Sequence, residues 1–318
     1  MIEVTHLTKR YGPAVAVDDV SFRVEPGRVT GFLGPNGAGK STTLRMILGL
    51  DRPTSGRATV DGRAYADLPA PIRSVGAMLD TRALHPGRSA SAHLRAISDT
   101  HGLPRRRVGE VLDLTGLGDV ARRRVGTFSL GMTQRLGIAA ALLGDPAAIL
   151  LDEPVNGLDP EGVLWIRALA RRMAAEGRAV LISSHLMSEV EQTVDHVLVL
   201  GAGRVLADAS LQELLDAAAP LRVRLRAEDL ARIVGPLVAA GGSVLETEPH
   251  RAEVTGLTPD RIARIAADHD VVLTALAPVE RSLEDAYFAL TADAARYRTR
   301  PLPGADERAD RLTEETRS

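Results

Sequence analysis

The sequence contains no cysteine, and this absence excludes disulfide bonds, thiolate metal sites and cysteine nucleophiles. No apolar run is long enough to cross a bilayer as a helix, and the N-terminal Met-Ile-Glu-Val-Thr-His lacks the pattern of a secretory signal peptide. The formal net charge is only −2, so non-specific binding to nucleic acid is not favoured. These absences predict a cytosolic protein, and any membrane role has to come through a partner.

Lysine is nearly absent as well. The chain carries 39 lysines and arginines together, but only Lys9 and Lys40 are lysines. The compact ammonium of lysine and the wide, planar guanidinium of arginine are not interchangeable. Lysine at position 40 therefore indicates a place where an ammonium is required, whereas Lys9 could equally be a lysine that was simply retained.

Residues 34–41, Gly-Pro-Asn-Gly-Ala-Gly-Lys-Ser, match G-x-x-x-x-G-K-[ST], a pattern typical of phosphate-binding loops. Glycines let consecutive backbone N–H groups turn towards an anion, and the N-terminus of the following helix favours negative charge. The flanking segments support this interpretation, because residues 28–33 predict a buried strand and residues 41–50 carry apolar side chains at helical spacing. In such a loop Lys40 reaches the β- and γ-phosphates, and Ser41 offers its hydroxyl to Mg²⁺.

Two further buried strands end in polar residues. Residues 147–151 form a continuous apolar run followed by Asp152 and Glu153, and the apolar residues 179–182 shortly precede His185. Parallel α/β sheets bind ligands at the carboxyl ends of their strands. Asp152 is therefore suited to hold Mg²⁺, and Glu153 to orient or deprotonate a water. For His185 we favour a phosphate contact over a capping or packing role.

The other segments give weaker signals. Residues 1–33 predict strands, and Asp-Gly at 61–62 after a short apolar piece is a hairpin signal. Tyr11 is one of four tyrosines, and its ring could serve a turn alone or stack on a nucleotide base. Apolar spacing predicts helices over residues 90–100, 105–114 and 130–143.

The C-terminal third has a pattern of its own. Residues 221–226 alternate apolar residues with arginine, and the segments from 220 to 290 predict the order β-α-β-β-α-β of a small ferredoxin-like module. Ser282 and Asp285 suit the capping box of a final helix. The arginine face predicts a solvated surface, with contact to an acidic partner or to lipid headgroups as the alternative. Residues 293–318 are charged and poor in large apolar side chains, which predicts disorder.

Together these motifs resemble the nucleotide-binding subunit of an ABC transporter, over residues 1–215. The resemblance implies an α/β fold, namely a P-loop NTPase of ABC type with an antiparallel β-subdomain and a helical subdomain, plus the small α+β C-terminal module. It implies that Tyr11 stacks on adenine, that Glu153 is the catalytic base and that His185 senses the γ-phosphate. The implied catalytic residues are Glu153, His185 and Lys40. The implied phosphate-loop contacts are Gly34, Pro35, Asn36, Gly37, Ala38, Gly39, Lys40, Ser41 and Thr42.

Two motifs depart from the pattern of the family. The signature Leu-Ser-Gly-Gly-Gln is present as Phe-Ser-Leu-Gly-Met at 128–132, so that Ser129 and Gly131 are kept as implied nucleotide contacts. This variant resembles the bacterial branch that exports drugs and peptide antibiotics. At the glutamine position of the Q-loop the chain has Asp80, whose shorter side chain makes a direct magnesium contact doubtful. The implied magnesium ligands are Ser41, Asp152 and Asp80.

The resemblance also implies a mechanism. Two copies of the chain would enclose two Mg·ATP, each held by the phosphate loop of one copy and by Ser129 and Gly131 of the other. Hydrolysis would open this homodimer and drive a separate transmembrane permease from the cytoplasmic face of the membrane. ATP and Mg²⁺ are the implied cofactors, and nucleic acid is not among the expected partners.

Two other functions stay open at this point. A soluble ABC-type ATPase could act on ribosomes or DNA, but such proteins typically carry two cassettes or long coiled coils, and this chain has one phosphate loop and no heptad run. A regulatory switch that binds ATP and hydrolyses it poorly is the other alternative. The presence of Glu153 disfavours it, because a switch has no need of a catalytic base.

Overall fold

The computed structural model describes residues 1–79, 84–185, 187–218, 222–279 and 282–291. Within these ranges the strands form three sheets of three, six and four strands. The predicted magnesium ligand Asp80 and the predicted disordered segment 293–318 lie outside the described residues. None of the helices in the described ranges is long and apolar enough to cross a membrane.

An antiparallel sheet begins the chain. Within it β1 is the central strand, paired with β2 on one side and β4 on the other, whereas β3 belongs to the six-stranded sheet. The hairpin turn expected at Asp61 and Gly62 is present, since both residues have positive φ and Val60 and Arg63 exchange two backbone hydrogen bonds across it. The pairing ends there, because a short 3-10 helix, Tyr65–Asp67, follows instead of a second strand. The first four strands are β1 (Ile2–Tyr11), β2 (Ala14–Val24), β3 (Val29–Leu33) and β4 (Ser55–Val60).

The six-stranded sheet is parallel except at one edge. It also contains β5 (Val75–Met78), β6 (Ala148–Asp152), β7 (Ala179–Ser184), β8 (His196–Gly201) and β9 (Arg204–Ser210). The order is β5-β6-β7-β3-β8-β9, and only β9 runs antiparallel to its neighbour. Strands β3 and β7 are buried at every residue, as expected for strands covered on both faces. The carboxyl ends of β6, β7 and β3 therefore lie side by side.

Helices cover this sheet, and those predicted at 90–100, 105–114 and 130–143 are found with nearly the same bounds. They are α1 (Lys40–Ile47), α2 (Pro71–Ser74), α3 (Ala90–Thr100), α4 (Arg106–Leu114), α5 (Leu130–Leu142), α6 (Pro160–Ala175), α7 (Met187–Glu191) and α8 (Leu211–Ala218). The side chains of Ser89, Ser129 and Asp159 cap α3, α5 and α6 by accepting a bond from the backbone N–H three residues further on.

The two faces of the six-stranded sheet contribute to different hydrophobic cores. Phe32 on β3 joins the core beneath the antiparallel sheet and α1, together with Ile2 and Leu44. Its neighbour Leu33 joins the core formed with α3 to α6, which includes Leu136. Successive residues of a strand point to opposite faces of the sheet, so the short apolar strand β3 contributes side chains to both hydrophobic cores.

The C-terminal residues form a separate antiparallel sheet with its own core, which includes Val223, Ile233 and Ile262. Its elements are β10 (Arg222–Ala227), α9 (Ala231–Ala239), β11 (Ser243–Glu248), β12 (Arg251–Thr255), α10 (Pro259–Asp268) and β13 (Leu273–Pro278). The strand order is β11-β12-β10-β13. The sequence order is thus β-α-β-β-α-β. On the face opposite the helices, Arg224 pairs with Glu253 at 2.8 Å.

The last helix, α11 (Leu283–Thr291), returns to the N-terminal part of the chain. Leu283, Ala286 and Tyr287 belong to the same core as Leu214 of α8. The backbone N–H of Leu283 donates to the Glu191 carboxylate of α7 at 3.1 Å. The predicted cap is present, because the Asp285 N–H donates to Ser282 Oγ at 3.1 Å and Ser282 Oγ donates to the Asp285 carboxylate at 2.9 Å.

Candidate active site

The loop at residues 34–39 joins β3 to α1, and two of its glycines have no room for a side chain. A Cβ at Gly34 would lie 2.6 Å from the carbonyl oxygen of Leu200, and one at Gly39 would lie 2.6 Å from that of Ala16. Gly39 also has φ +103°, a backbone conformation that L side chains rarely adopt. Glycine at these two positions is therefore required by packing as well as by backbone geometry.

Lys40 begins α1 and is almost fully buried, with 6% of its surface exposed. Its ammonium donates to the carbonyl oxygens of Gly34 at 2.6 Å and Pro35 at 3.3 Å, and lies 3.9 Å from Glu153 Oε1. Burial lowers the pKa of Lys40, while the carboxylates of Glu153 and Asp152 oppose this shift. This buried setting with two carbonyl oxygens close to the cation suits the compact ammonium of lysine better than a wider, planar guanidinium.

Asp152, at the end of β6, bridges two strands and the loop helix. One carboxylate oxygen accepts a hydrogen bond from Ser41 Oγ at 2.7 Å. The other accepts a short hydrogen bond from the hydroxyl of Ser183, the β7 residue directly opposite in register. The sequence analysis did not assign Ser183 a role. In the sequence, only the position of Ser183 directly after the apolar run 179–182 could have indicated a role at the site.

Ser183 also holds the next acidic residue. The Glu153 N–H donates to Ser183 Oγ at 2.9 Å and lies 3.2 Å from the Ser183 carbonyl oxygen. Glu153 adopts φ +51°, a left-handed conformation that costs a residue with a Cβ about 1–2 kcal/mol. Strain of this kind persists only where the surroundings enforce it, and it often lies at functional positions.

His185 lies just beyond β7 and contacts Glu153. The two side chains meet at 2.7 Å, between His185 Nδ1 and Glu153 Oε2, and 44% of the histidine side chain is exposed. The structure thus brings Lys40, Ser41, Asp152, Glu153 and His185 into one connected cluster. Their individual catalytic roles stay predictions.

Tyr11 ends β1, and about half of its surface is exposed. Its hydroxyl donates to Asp51 at 3.0 Å, and the Lys9 ammonium lies 4.9 Å from the centroid of the ring. Both a turn role and a base-stacking role are compatible with this exposure. Neither Lys9 nor Asp51 was predicted to take part.

The predicted signature residues lie at the start of α5. In the part of the chain that the structure describes, Ser129 hydrogen-bonds only to residues of that helix, through its cap to the Met132 N–H at 3.2 Å and its carbonyl bonds to Thr133. Gly131 lies against the loop that precedes α6, since a Cβ there would be 3.5 Å from the Gly157 carbonyl oxygen. The structure does not join either residue to the Lys40 cluster within one chain.

Helix α5 is closely joined to that loop and to α6. A Cβ at Gly157 would lie 2.1 Å from Leu130 Cδ2, so the leucine of the altered signature occupies the space next to Gly157. The buried Gln134 donates to the Asn156 carbonyl oxygen at 3.0 Å. Arg135 lies over the ring of Trp165 on α6, 4.9 Å from its centroid. These contacts were not predicted, because they depend on how separate elements pack.

Comparison with known proteins decides the family. The sequence model of the ABC transporter family matches residues 17–156. The bacitracin transport ATP-binding protein BcrA of Bacillus licheniformis is 41% identical over 217 residues, which are 67% of this chain and 71% of that protein. This chain belongs to the ABC transporter ATP-binding proteins. It is thus an ATPase of the kind coupled to transport.

Other relatives of this ABC protein support the assignment. The lantibiotic transport ATP-binding protein SrtF of Streptococcus pyogenes is 35% identical over 65% of this chain and 90% of its own length. A solved ATP-binding subunit of an ABC transporter superposes with a TM-score of 0.63 at 30% identity, covering 68% of this chain and 92% of that one. A bacterial ABC cassette solved as a dimer gives 0.61 at 26% identity, covering 66% and 99%. The expected fold class is confirmed.

A second match concerns the C-terminal sheet. Residues 221–284 match the model of a domain of unknown function, DUF8746. The matched segment covers β10 to β13 and ends where α11 begins.

Proposed function

We propose that this chain is the ATP-hydrolysing subunit of an exporter and drives a separate permease that moves a drug or peptide antibiotic out of the cell. The observation that carries the catalytic part is the connected cluster of Lys40, Glu153 and His185, with Asp152 held beside it. The substrate class rests on the names of the relatives, which transport bacitracin and a lantibiotic. The permease and a position at the cytoplasmic face of the membrane belong to the same proposal.

Magnesium fits the oxygen pair at the start of α1. Ser41 Oγ and an Asp152 carboxylate oxygen lie 2.7 Å apart, and both are hard oxygen donors of the kind that Mg²⁺ prefers. When bound there, Mg²⁺ would supply positive charge that offsets the negative charge developing on the phosphates during phosphoryl transfer. Ser183 holds the Asp152 carboxylate in place by donating to its other oxygen. Asp80 stays a predicted third ligand.

The protein side chains would divide the chemistry as follows. The Lys40 ammonium, anchored by two loop carbonyls, supplies a fixed positive charge for the β- and γ-phosphates. Glu153 accepts the proton of the attacking water at its carboxylate. His185 Nδ1 is bonded to Glu153 Oε2, so it orients the base and links it to the segment that leads into α7.

A second copy of the chain would complete the site. Ser129 and Gly131 do not contact the Lys40 cluster of their own chain, which agrees with a role on the nucleotide bound by a partner copy. The dimeric cassette structure at 26% identity supports this arrangement. Binding of nucleic acid is not part of the proposed function.

Replacement of the base tests the proposal. Glu153→Gln should bind ATP normally and hydrolyse it at least ~10²-fold more slowly, because the amide cannot accept the proton. It should also accumulate as an ATP-bound dimer, detectable by light scattering. Glu110→Gln, at a half-exposed carboxylate on α4, is the matched control and should hydrolyse at the wild-type rate. Near-normal turnover by Glu153→Gln would contradict the proposed base.

A further inference from the structure

Lys9, one of the two lysines of the chain, lies beside Tyr11 on the same face of β1, since strand residues two apart share a face. Its ammonium is 4.9 Å from the centroid of the Tyr11 ring, within the range of a cation–π interaction. The same ammonium donates to the carbonyl oxygen of Arg52 at 2.6 Å. The cation is therefore fixed over one face of the ring by a second contact.

Asp51 holds the other end of the tyrosine. The Tyr11 hydroxyl donates to Asp51 Oδ2 at 3.0 Å, and Arg45 donates to both oxygens of the same carboxylate at 2.8 and 3.2 Å. The hydrogen bond from Arg45, which is the largest cause, lowers the pKa of Asp51 below its ordinary value. Because Arg45 belongs to α1, the ring is connected to the helix that begins at Lys40.

These contacts hold the tyrosine in place and leave it half-exposed. Its hydroxyl is bound and the Lys9 ammonium lies over the ring, while about half of the residue's surface stays open to a planar ligand. A ring that is already fixed loses little conformational entropy when a base stacks on it. The connection through Arg45 also keeps the ring at a set distance from the phosphate-binding loop.

We propose that Lys9 and Asp51 are positioning residues that hold Tyr11 as a platform for the nucleobase, so that the site prefers a nucleoside triphosphate over a bare polyphosphate chain. This inference rests on the proposed nucleotide site. Neither Lys9 nor Asp51 belongs to the cluster around Lys40. We therefore expect both residues to affect binding of the nucleobase and not binding of the phosphates.

Paired ligands test the inference on the full chain. Isothermal titration calorimetry would compare ATP with inorganic tripolyphosphate, both with Mg²⁺, since the second ligand has the phosphates and lacks the base. Lys9→Met should weaken ATP binding about 2- to 5-fold, the range of an exposed cation–π contact. Asp51→Asn should weaken it about 10-fold, because the charge-assisted bonds are lost. Binding of tripolyphosphate should stay within 2-fold of wild type in both variants.

Two controls separate positioning from general stability. Arg57→Met removes an exposed cation from β4 of the same sheet and should change neither affinity. In a Tyr11→Ala background, Lys9→Met should have no further effect on ATP, because its action passes through the ring. Lys9→Arg should retain part of the preference, since arginine also stacks on aromatic faces.

Three results would overturn the inference: equal loss of both ligands in Lys9→Met, no loss of either, or an undiminished effect of Lys9→Met without the Tyr11 ring. A wild-type chain that binds tripolyphosphate and ATP equally would overturn it while leaving a phosphate site intact. A wild-type chain that binds neither ligand would contradict the proposed function itself and, with it, this inference.

Discussion

Ser183 is fully buried and organises both acidic residues at the candidate catalytic centre. Its hydroxyl donates to Asp152 and accepts from the Glu153 N–H, so that one atom sets the position of two carboxylates. Removal of this buried hydroxyl takes the donor from one Asp152 carboxylate oxygen and leaves the Glu153 N–H with the Ser183 carbonyl oxygen alone, which costs more than loss of a single exposed hydrogen bond.

Ser183→Ala should therefore lower ATP turnover about 10-fold and raise the Mg²⁺ concentration needed for half-maximal rate. The matched control is Ser98→Ala, which removes another buried serine hydroxyl, bonded to the Leu103 carbonyl oxygen in the helical region. A magnesium titration of steady-state turnover distinguishes the two variants. If both shift the magnesium dependence equally, Ser183 contributes only to folding.

Lys40→Arg should bind ATP almost as poorly as Lys40→Ala, with a loss of about 10²-fold. The ammonium is almost fully buried and donates to the Gly34 and Pro35 carbonyl oxygens, and we expect the wider, planar guanidinium of arginine to disturb this arrangement. Titration with a fluorescent ATP analogue measures the effect. If Lys40→Arg bound ATP with wild-type affinity, the proposed role of Lys40 would be wrong. The interpretation that a lysine at position 40 marks a required ammonium would be wrong as well.

Leu130 and Gly157 provide a test of the packing between α5 and the loop that precedes α6. Gly157→Ala should destabilise the protein by about 1–3 kcal/mol, because its φ of +76° is unfavourable for alanine and its Cβ would force the exposed Leu130 side chain to move. In a Leu130→Ala background the overlap disappears and only the backbone cost remains. Denaturant unfolding of the four proteins in this cycle measures the coupling. Additive effects of the two changes would exclude the contact.

Several of the site residues could be recognised from the sequence because their spacing is local. The residues from Gly34 to Ser41 form one loop, and Asp152 and Glu153 follow directly after one apolar strand. Ser183, Gln134 and Asp51 could not be recognised in this way. Their roles depend on the register of β7 against β6 and on the packing of α5 and α1, which no short pattern encodes.

At the scale of elements, α11 links the C-terminal part of the chain to the N-terminal part. The sequence predicted the helix and its cap, but its position against α7 and α8 is a matter of tertiary packing. Arg222 at the start of β10 bonds Asp285 of α11 at 2.7 Å, so the chain leaves and re-enters the cassette at nearby points. The boundaries at 1–215 and 220–290 stay predictions.

A deletion pair tests this division. A chain that ends at residue 215 should still bind ATP but should lose on the order of 3 kcal/mol of stability, because the apolar surface covered by Leu283 and Tyr287 becomes exposed. A chain in which residues 222–279 are replaced by a short Gly-Ser linker keeps α11 and should retain wild-type stability of the cassette. Calorimetric unfolding with and without ATP compares them. Equal stability of the two would show that α11 adds nothing.

At the scale of the whole molecule, the cap residue of α5 offers a test of the proposed ATP-dependent homodimer. Ser129→Asp should leave ATP binding to the monomer unchanged, since aspartate is an equally good cap, but its charge should repel the phosphate of the partner site. Turnover and the ATP-dependent dimer, followed by analytical ultracentrifugation, should both be lost. Ser89→Asp makes the same change at the cap of α3 and should preserve both. A normal dimer of Ser129→Asp would contradict the proposed contact.

The stacking of Arg135 on Trp165 has an optical consequence. Trp165 is the only tryptophan in the chain, so selectively excited tryptophan emission comes from one place, the contact between α5 and α6. A cation held over an indole ring alters its fluorescence, and withdrawal of that cation alters it again. The protein therefore carries an intrinsic spectroscopic reporter at the junction of the signature helix and the helix that follows Asp159, readable during turnover without any attached label.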